Sequence, residues 1–335
     1  HNAFTFRKNT GSHDSSVNAT ALRKRSGAQI QTNEKADRSD PWSTIISVGF
    51  PPQSVAVTFD TSSADVIVDS SYDPDKSITS RQLDGPKPAD VDDLSFGPFD
   101  LKKVAVSSSS HNSARIGLAF PSISSASSAN SFTNVLSSHL DQNVYQFTLG
   151  DKHGSLNVGT IDRSLFFGNI SWNAVNPAQG YWTTPFTWNG LSFHGTVDST
   201  ASVILGNVAD VKRVLMSMEG VRVTKSVDGS YIGLFDCDKV PSSDFVIGGV
   251  PLKFSASLKH GTMCKIPVVG IDGLNHWILG EPIFKLTSII LDFENHRIGF
   301  AQRRTHFQKS TRPRSVNTYR SWRQTKSPKI RAANL

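Results

Sequence analysis

The amino-acid sequence predicts an all-β fold in two similar halves, and two observations predict it. Residues 57–68 and 195–205 read as imperfect copies of each other, and in each copy an aspartate and then a hydroxyl residue follow an apolar run of β-type residues. Such a run delivers a carboxylate to a loop at the end of a strand. A matching apolar run then follows each copy, at residues 116–118 and 278–280. This duplication indicates two lobes built on one plan.

Composition places the chain among globular proteins. Its 335 residues are 37% hydrophobic and 9% aromatic, which is enough to bury a large core. No run of apolar residues is long enough to span a membrane as a helix. No signal peptide is visible, and we expect that one has been removed.

Residues 1–25 are expected to be a propeptide-like leader. They carry a glycosylation sequon at Asn18 and end in a dibasic sequence at Arg25, which resembles the processing site of a kexin-type protease. Processing there would make the chain a secreted zymogen. The alternative is a charged run on a solvated surface.

The first lobe is expected over residues 26–172. Residues 43–70 hold β runs with a Gly-Phe-Pro-Pro-Gln break, so they predict a hairpin that leads into the loop of Asp60. The following polar region, residues 70–111, contains one good strand candidate at 101–106. Beyond it, a helix is expected around residues 132–140, and strands are expected at residues 145–149 and 156–158.

The second lobe is expected over residues 173–302. After the loop of Asp198, Asn207 followed by Asp210 predicts the N-cap of a helix over residues 208–218.

Several motifs together resemble those of the pepsin-like aspartic proteases, in which each lobe supplies an Asp-Thr/Ser-Gly loop to a shared cleft. The loops here read Asp60-Thr61-Ser62 and Asp198-Ser199-Thr200. Residues 114–121 resemble the family's Gly-Ile-Leu-Gly-Leu-Ala-Tyr-Pro, and residues 277–284 resemble its Trp-Ile-Leu-Gly-Asp-x-Phe-Leu. The resemblance covers roughly residues 42–302. It implies a bilobal, all-β pepsin-like fold with a few short helices.

Three departures from the family pattern affect the expected site. Ser62 and Thr200 replace the two loop glycines, and Ile67 stands where the family has the tryptophan that supports its flap tyrosine. No Tyr-Gly-x-Gly flap tip occurs between Tyr72 and Tyr145. Without a flap, the cleft is expected to be open on one side.

The resemblance implies a catalytic dyad of Asp60 and Asp198. In such a dyad, two neighbouring carboxyl groups share one proton and hold a water. The ionised carboxylate acts as base on the water, and the protonated carboxyl group polarises the substrate carbonyl. Thr61 and Ser199 are expected to hydrogen-bond across the pseudo-twofold axis. Ser62, Ser63 and Thr200 are the other supporting residues. Either aspartate alone would read as a turn cap, whereas two in equivalent places indicate a shared site.

Two functions remain open. The first is a secreted pepsin-like endopeptidase that takes a peptide in the inter-lobe cleft. The second is a repurposed fold, either a non-proteolytic acid/base catalyst on a small organic substrate or an inactive binding protein. No cofactor is expected, the histidines show no metal-binding spacing, and we expect a monomer.

Covalent features are sparse. Secretory context and the pepsin-like pattern favour a disulfide between Cys237 and Cys264, the two cysteines of the chain; two buried thiols are the alternative. Asn169-Ile170-Ser171 is a second glycosylation sequon, a short motif with a high false-positive rate.

Residues 303–335 form a basic tail. The tail has ten Lys and Arg residues and no Asp or Glu, so its formal charge is larger than the net charge of +7 of the whole chain. The rest of the chain is therefore mildly acidic. With few apolar residues, the tail is expected to be disordered. We expect that the tail either contacts an anionic surface or has no specific partner. The body itself shows no nucleic-acid-binding motif.

Overall fold

The computed structural model describes five stretches of the chain, residues 28–31, 42–109, 114–150, 154–254 and 258–304. Within them the chain is mostly strand. The strands are β1 (Ala28–Gln31), β2 (Ser43–Val48), β3 (Gln53–Asp60), β4 (Val66–Val68), β5 (Arg81–Leu83), β6 (Ala89–Phe96), β7 (Phe99–Ser108), β8 (Arg115–Gly117), β9 (Val144–Leu149), β10 (Gly154–Val158), β11 (Phe166–Ala174), β12 (Thr183–Trp188), β13 (Leu191–Val197), β14 (Ile204–Asn207), β15 (Arg222–Lys225), β16 (Tyr231–Phe235), β17 (Phe245–Ile247), β18 (Val250–Leu252), β19 (Leu258–His260), β20 (Met263–Ile271), β21 (Trp277–Leu279), β22 (Thr287–Asp292) and β23 (Arg297–Arg303).

The described α-helices are short. They are α1 (Phe132–Ser137), α2 (Val208–Met216) and α3 (Glu281–Leu286). The helix predicted after Asn207 is confirmed as α2, and the Asn207 side chain accepts a hydrogen bond from the Asp210 amide at 2.8 Å. None of the helices in the described residues has the length and apolar character that crossing a membrane requires.

Helix α1 ends three residues earlier than predicted. The hydroxyl of Ser137 donates to the Asn134 carbonyl and that of Ser138 to the Val135 carbonyl. Serine hydroxyls that bond nearby carbonyls compete with the helical ladder, which explains the early stop.

Three sheets organise the described residues, and the predicted all-β, bilobal fold is confirmed. The first lobe is built on a seven-stranded sheet in the order β2-β3-β8-β4-β7-β6-β5. The second has a ten-stranded sheet whose main path is β15-β16-β20-β14-β21-β13-β12-β17-β18, with β19 on β20. The third, in the order β1-β10-β9-β22-β23-β11, takes strands from both halves of the chain.

The two lobes repeat one crossing. Strand β3 runs parallel to β8 with Asp60 opposite Gly117, and β13 runs parallel to β21 with Val197 opposite Leu279. Strands β8 and β21 each also pair antiparallel with a further strand, β4 and β14. The duplicated sequence therefore forms a duplicated structure, and it places each aspartate loop beside an apolar run.

The core joins the two halves beneath these loops. Phe147, on β9 of the shared sheet, lies opposite Ile289 on β22. Its ring contacts Phe59 with a centroid distance of 6.5 Å and Phe284 with a centroid distance of 5.4 Å. Phe59 directly precedes Asp60, and Phe284 lies in the helix that follows Gly280. Both pack on Phe147, so the two loops are held relative to one aromatic side chain.

The polar region after the first loop contains three strands, not the single strand predicted. Strand β6 was missed because it carries buried Asp92, which is 1% exposed. The Asp92 carboxylate accepts hydrogen bonds from the Tyr72 hydroxyl at 2.7 Å and the Thr79 hydroxyl at 2.5 Å. Burial raises the pKa of Tyr72 above its ordinary value, so this hydroxyl keeps the proton that it donates.

A disulfide joins Cys237 and Cys264, whose Cα atoms are 4.9 Å apart. It ties the turn after β16 to β20, so it lies in the second lobe. The leader of residues 1–25, with Asn18 and Arg25, lies outside the described residues, as does the tail from residue 305 onward.

Candidate active site

Asp60 and Asp198 each lie where a strand gives way to a loop. Asp60 is the last residue of β3, and Asp198 follows β13 directly. The Asp60 carbonyl accepts a hydrogen bond from the Leu118 amide at 2.7 Å, and the Asp198 amide donates to the Leu279 carbonyl at 3.0 Å. The apolar runs therefore hold the backbone at both aspartates.

Two glycines allow these runs to press against the loops. A Cβ atom on Gly117 would lie 2.5 Å from backbone atoms of Ser63 and Ala64. A Cβ atom on Gly280 would lie 2.3 Å from the carbonyl oxygen of Ala201. Carbon atoms do not approach backbone atoms so closely, so glycine is required at both positions.

Thr61 and Ser199 interlock the loops. The Thr61 amide donates to the Ser199 hydroxyl at 3.1 Å, and the Ser199 amide donates to the Thr61 hydroxyl at 3.0 Å. Each hydroxyl then donates across the axis, that of Thr61 to Val197 and that of Ser199 to Phe59. Both residues are buried. This symmetric set of hydrogen bonds brings the two aspartate loops together.

Protein donors surround the Asp60 carboxylate. Its Oδ1 accepts from the Ser62 amide at 2.8 Å and the Ser62 hydroxyl at 2.7 Å. Its Oδ2 accepts from the Ser63 hydroxyl at 2.8 Å and lies 3.4 Å from Nε of Arg115. A carboxylate offers about four acceptor sites, so these three hydrogen bonds use most of its capacity, and the guanidinium adds an ion pair on the same side as Ser63.

Arg115 reaches Asp60 because of its place in the sheet. It lies on β8, opposite Thr58 of β3 and Ile67 of β4. Its side chain is 29% exposed, and that of Asp60 is 8% exposed, so the ion pair is largely shielded from water. The corresponding residue of the second lobe is Ile278, which lies opposite Thr196 of β13. The charge is therefore on one side of the pseudo-twofold axis.

Asp198 has fewer donors than Asp60. Its Oδ1 accepts from the Thr200 amide at 2.8 Å and the Thr200 hydroxyl at 2.7 Å. Ala201 stands in the place that Ser63 has in the first loop, so no hydroxyl approaches Oδ2 from there. Among the described residues, Oδ2 of Asp198 has no hydrogen-bond donor. Asp198 is half-buried and Thr200 is exposed, with its hydroxyl turned to its own aspartate.

The region in which the sequence predicts no flap contains a short turn between β5 and β6. Strands β5 and β6 pair over three residues each, and residues 84–88 connect them. Lys87 in this turn donates to the Ser124 carbonyl at 2.8 Å, and the Ser124 hydroxyl donates to Asp65 at 2.6 Å. The turn is therefore fastened to the segment that flanks the first aspartate loop.

Arg115 is the site residue that sequence reasoning missed. Its signal was a charged residue inside an otherwise apolar run, at the position where the family motif has isoleucine. The supporting residues of the two loops, Thr61, Ser62, Ser63, Ser199 and Thr200, lie around the two aspartates. The structure places Asn169 elsewhere, exposed on β11. No group of metal-ligating side chains is found among the residues that the structure describes.

Comparisons with known proteins agree with this geometry. Residues 87–303 match the family model of the eukaryotic aspartyl proteases. Secreted aspartyl protease 1 of Malassezia globosa is 29% identical, over 88% of this chain and 82% of its own length. A probable inactive secreted aspartyl protease of the same species is 25% identical, over 85% of this chain and 84% of its own. Chymosin of Camelus dromedarius is 27% identical, over 77% of this chain and 79% of its own.

Proposed function

Because the chain belongs to the eukaryotic aspartyl protease family, we propose that its paired aspartates line a cleft that binds polypeptide without cleaving it efficiently. The observation that carries this proposal is the environment of Asp60, whose carboxylate accepts three hydrogen bonds from Ser62 and Ser63 and forms an ion pair with Arg115. Pepsin-like proteases bind peptides between their lobes, and the hydrogen bonds of Thr61 and Ser199 keep the loops of this chain together.

Hydrolysis requires a water held by both carboxyl groups and one proton shared between them. A water that binds Asp60 must share its oxygens with the Ser62 hydroxyl, the Ser63 hydroxyl and the Arg115 guanidinium. This crowding opposes the arrangement that activates water.

The loop hydroxyls act in the same direction. In the family, the glycine amide alone approaches the aspartate from this position. Here Ser62 and Thr200 keep that amide hydrogen bond and add a hydroxyl to the same oxygen. The amides show that the loop backbone tolerates the two replacements, whereas the hydroxyls take up acceptor capacity that a water would use.

Secretion and processing are part of the proposal. Relatives of this chain are named as secreted proteases. Strand β1 begins at Ala28, three residues after Arg25, and pairs with β10 of the shared sheet. A lobe that begins near residue 26 agrees with removal of the leader after Arg25. We assign residues 26–172 and 173–302 to the two lobes, and the basic tail to contact with an anionic surface.

A secreted endopeptidase is the second candidate. The observation in its favour is that both aspartates, both loop amides and the Thr61–Ser199 hydrogen bonds are in place. Asp198 also keeps an oxygen without a donor among the described residues. If a substrate displaces Arg115 as it binds, these groups suffice for general acid–base catalysis.

The deciding experiment measures binding and cleavage together. Purified chain processed after Arg25 is mixed with labelled, denatured casein from pH 2 to pH 7; anisotropy reports binding and mass spectrometry reports fragments. We expect binding without new fragments. Fragments that disappear in both Asp60→Asn and Asp198→Asn variants would show the endopeptidase instead, and absence of binding would remove the cleft's proposed role.

A matched set of variants tests the cause. Arg115→Ile gives the first lobe the residue that Ile278 provides in the second, and Ser62→Gly with Thr200→Gly restores the family's loops. We expect the combined triple variant to release fragments and to lose this activity again on Asp198→Asn. A triple variant that folds and binds casein but stays inactive would show that the donors around Asp60 are not what prevents cleavage.

A further inference from the structure

Strand β11 is the outermost strand of the shared sheet. It pairs with β23 along one edge, and no described strand pairs with its other edge. Its nine residues include no charged residue and no proline. Charged residues and prolines are the usual means by which an exposed edge avoids pairing with another chain. A bulge protects residues 168–170, as described next, so residues 171–174 of this edge need a different protection.

A bulge interrupts the same strand. Phe167 lies opposite Gln302 and Ser171 opposite Phe300, so three residues, 168–170, face Ala301 alone. Gly168 has a φ of +68° at a place with open space around it. This left-handed conformation lets the chain leave the ladder.

The bulge turns Asn169 to solvent. Ile170 packs toward the sheet, because a Cβ atom added to Gly299 would lie 2.5 Å from its Cγ2. Asn169, its neighbour along the chain, is exposed. Its amide makes no hydrogen bond with a described residue. A bulky group on this amide would therefore clash with no ladder partner.

We propose that Asn169 carries an N-linked glycan and that this glycan covers the open edge of β11 against pairing with a second copy of the chain. The sequence Asn169-Ile170-Ser171 is an acceptor sequon without proline at its middle position. The proposal rests on the secretion proposed above, because the glycan donor is a lipid-pyrophosphate-linked oligosaccharide of the secretory pathway.

The transfer is a substitution at the first sugar carbon. The bond from Nδ2 of Asn169 to C1 of the sugar forms as the bond from C1 to the pyrophosphate oxygen breaks. The lipid pyrophosphate leaves, and the amide nitrogen loses one proton. No oxidant or reductant is needed.

Site occupancy is measured on the full chain secreted from a glycosylating yeast behind the host's own signal peptide. Amidase treatment in heavy-oxygen water converts a glycosylated asparagine to a labelled aspartate, which peptide mass spectrometry locates. We expect label at Asn169 in the wild type and in Ser171→Thr, which keeps the sequon, but none in Ser171→Ala. Secreted wild-type chain with an unmodified Asn169 would overturn the proposal, and this result would not depend on proteolytic activity.

The role of the glycan is measured by sedimentation velocity over a range of protein concentrations. Asn169→Gln removes the glycan and adds no charge, so we expect self-association that rises with concentration. Asn169→Lys also removes the glycan but places a charge on the edge, so we expect it to stay monomeric over the same concentrations, as the glycosylated wild type does. If Asn169→Gln also stays monomeric at every concentration, the glycan does not protect the edge.

Discussion

Asp60 and Asp198 occupy equivalent positions with unequal neighbours. Each accepts an amide and a hydroxyl from its own loop, but only Asp60 also has a serine and an arginine on its second oxygen. Because the backbone around both is nearly symmetric, the difference comes from single side chains, Ser63 against Ala201 and Arg115 against Ile278. The asymmetry of the candidate site is therefore open to test by single substitutions.

At the residue scale, Tyr145 predicts a pH dependence of stability. Burial raises the pKa of its hydroxyl above the ordinary value of 10, and this hydroxyl has no hydrogen-bond partner among the described residues. The unfolded chain loses this proton above pH 10 while the folded chain keeps it. Ionisation of this residue therefore leaves the free energy of unfolding unchanged below pH 10 and lowers it above pH 10, by up to about 1.4 kcal/mol per pH unit.

The variant Tyr145→Phe tests this link. It has the same shape and cannot ionise, so we expect its free energy of unfolding at pH 8 to equal or exceed that of the wild type. Between pH 8 and pH 11 it should lose less stability in urea denaturation than the wild type. An equal loss in both proteins would contradict the assignment, because every other tyrosine is common to both.

At the element scale, the contact between the two aspartate loops depends on hydroxyls. Thr61→Val keeps the shape of the side chain but leaves the buried Ser199 amide without its acceptor, so we expect a loss of about 1–3 kcal/mol in the free energy of unfolding. Thr44→Val is the matched control, since the buried Thr44 hydroxyl has no hydrogen-bond partner among the described residues and its removal should cost nothing. Urea denaturation compares the two, and equal effects would argue against the interlock.

Elements with local signals could be predicted from the sequence, and those that depend on distant partners could not. Helix α2 was predicted because its cap residue Asn207 lies beside it in the chain. Strand β6 was missed because the burial of Asp92 depends on Tyr72 and Thr79, which come from another segment. The aspartates were found as a repeated motif, whereas the contact of Arg115 with Asp60 requires the pairing of β8 with β3.

At the scale of the whole molecule, the shared sheet makes the halves dependent on each other. Strand β9 of the first half pairs with β22 of the second, and the boundary expected between residues 172 and 173 falls within β11. We expect that residues 26–172 expressed alone lack a cooperative unfolding transition in calorimetry, and that mixing with residues 173–302 restores one. A separate first half with its own sharp transition would contradict this dependence.

The pairing of β9 with β22 also governs when the protein can fold. Phe147 and its partner Ile289 are separated by most of the second lobe, so synthesis of the intervening chain takes roughly 10–30 s at typical rates. Throughout that interval β9 lacks its neighbour β22, although the seven-stranded sheet of the first half has all its strands. The growing chain therefore passes through a period in which one edge of β9 is open to pairing with another chain.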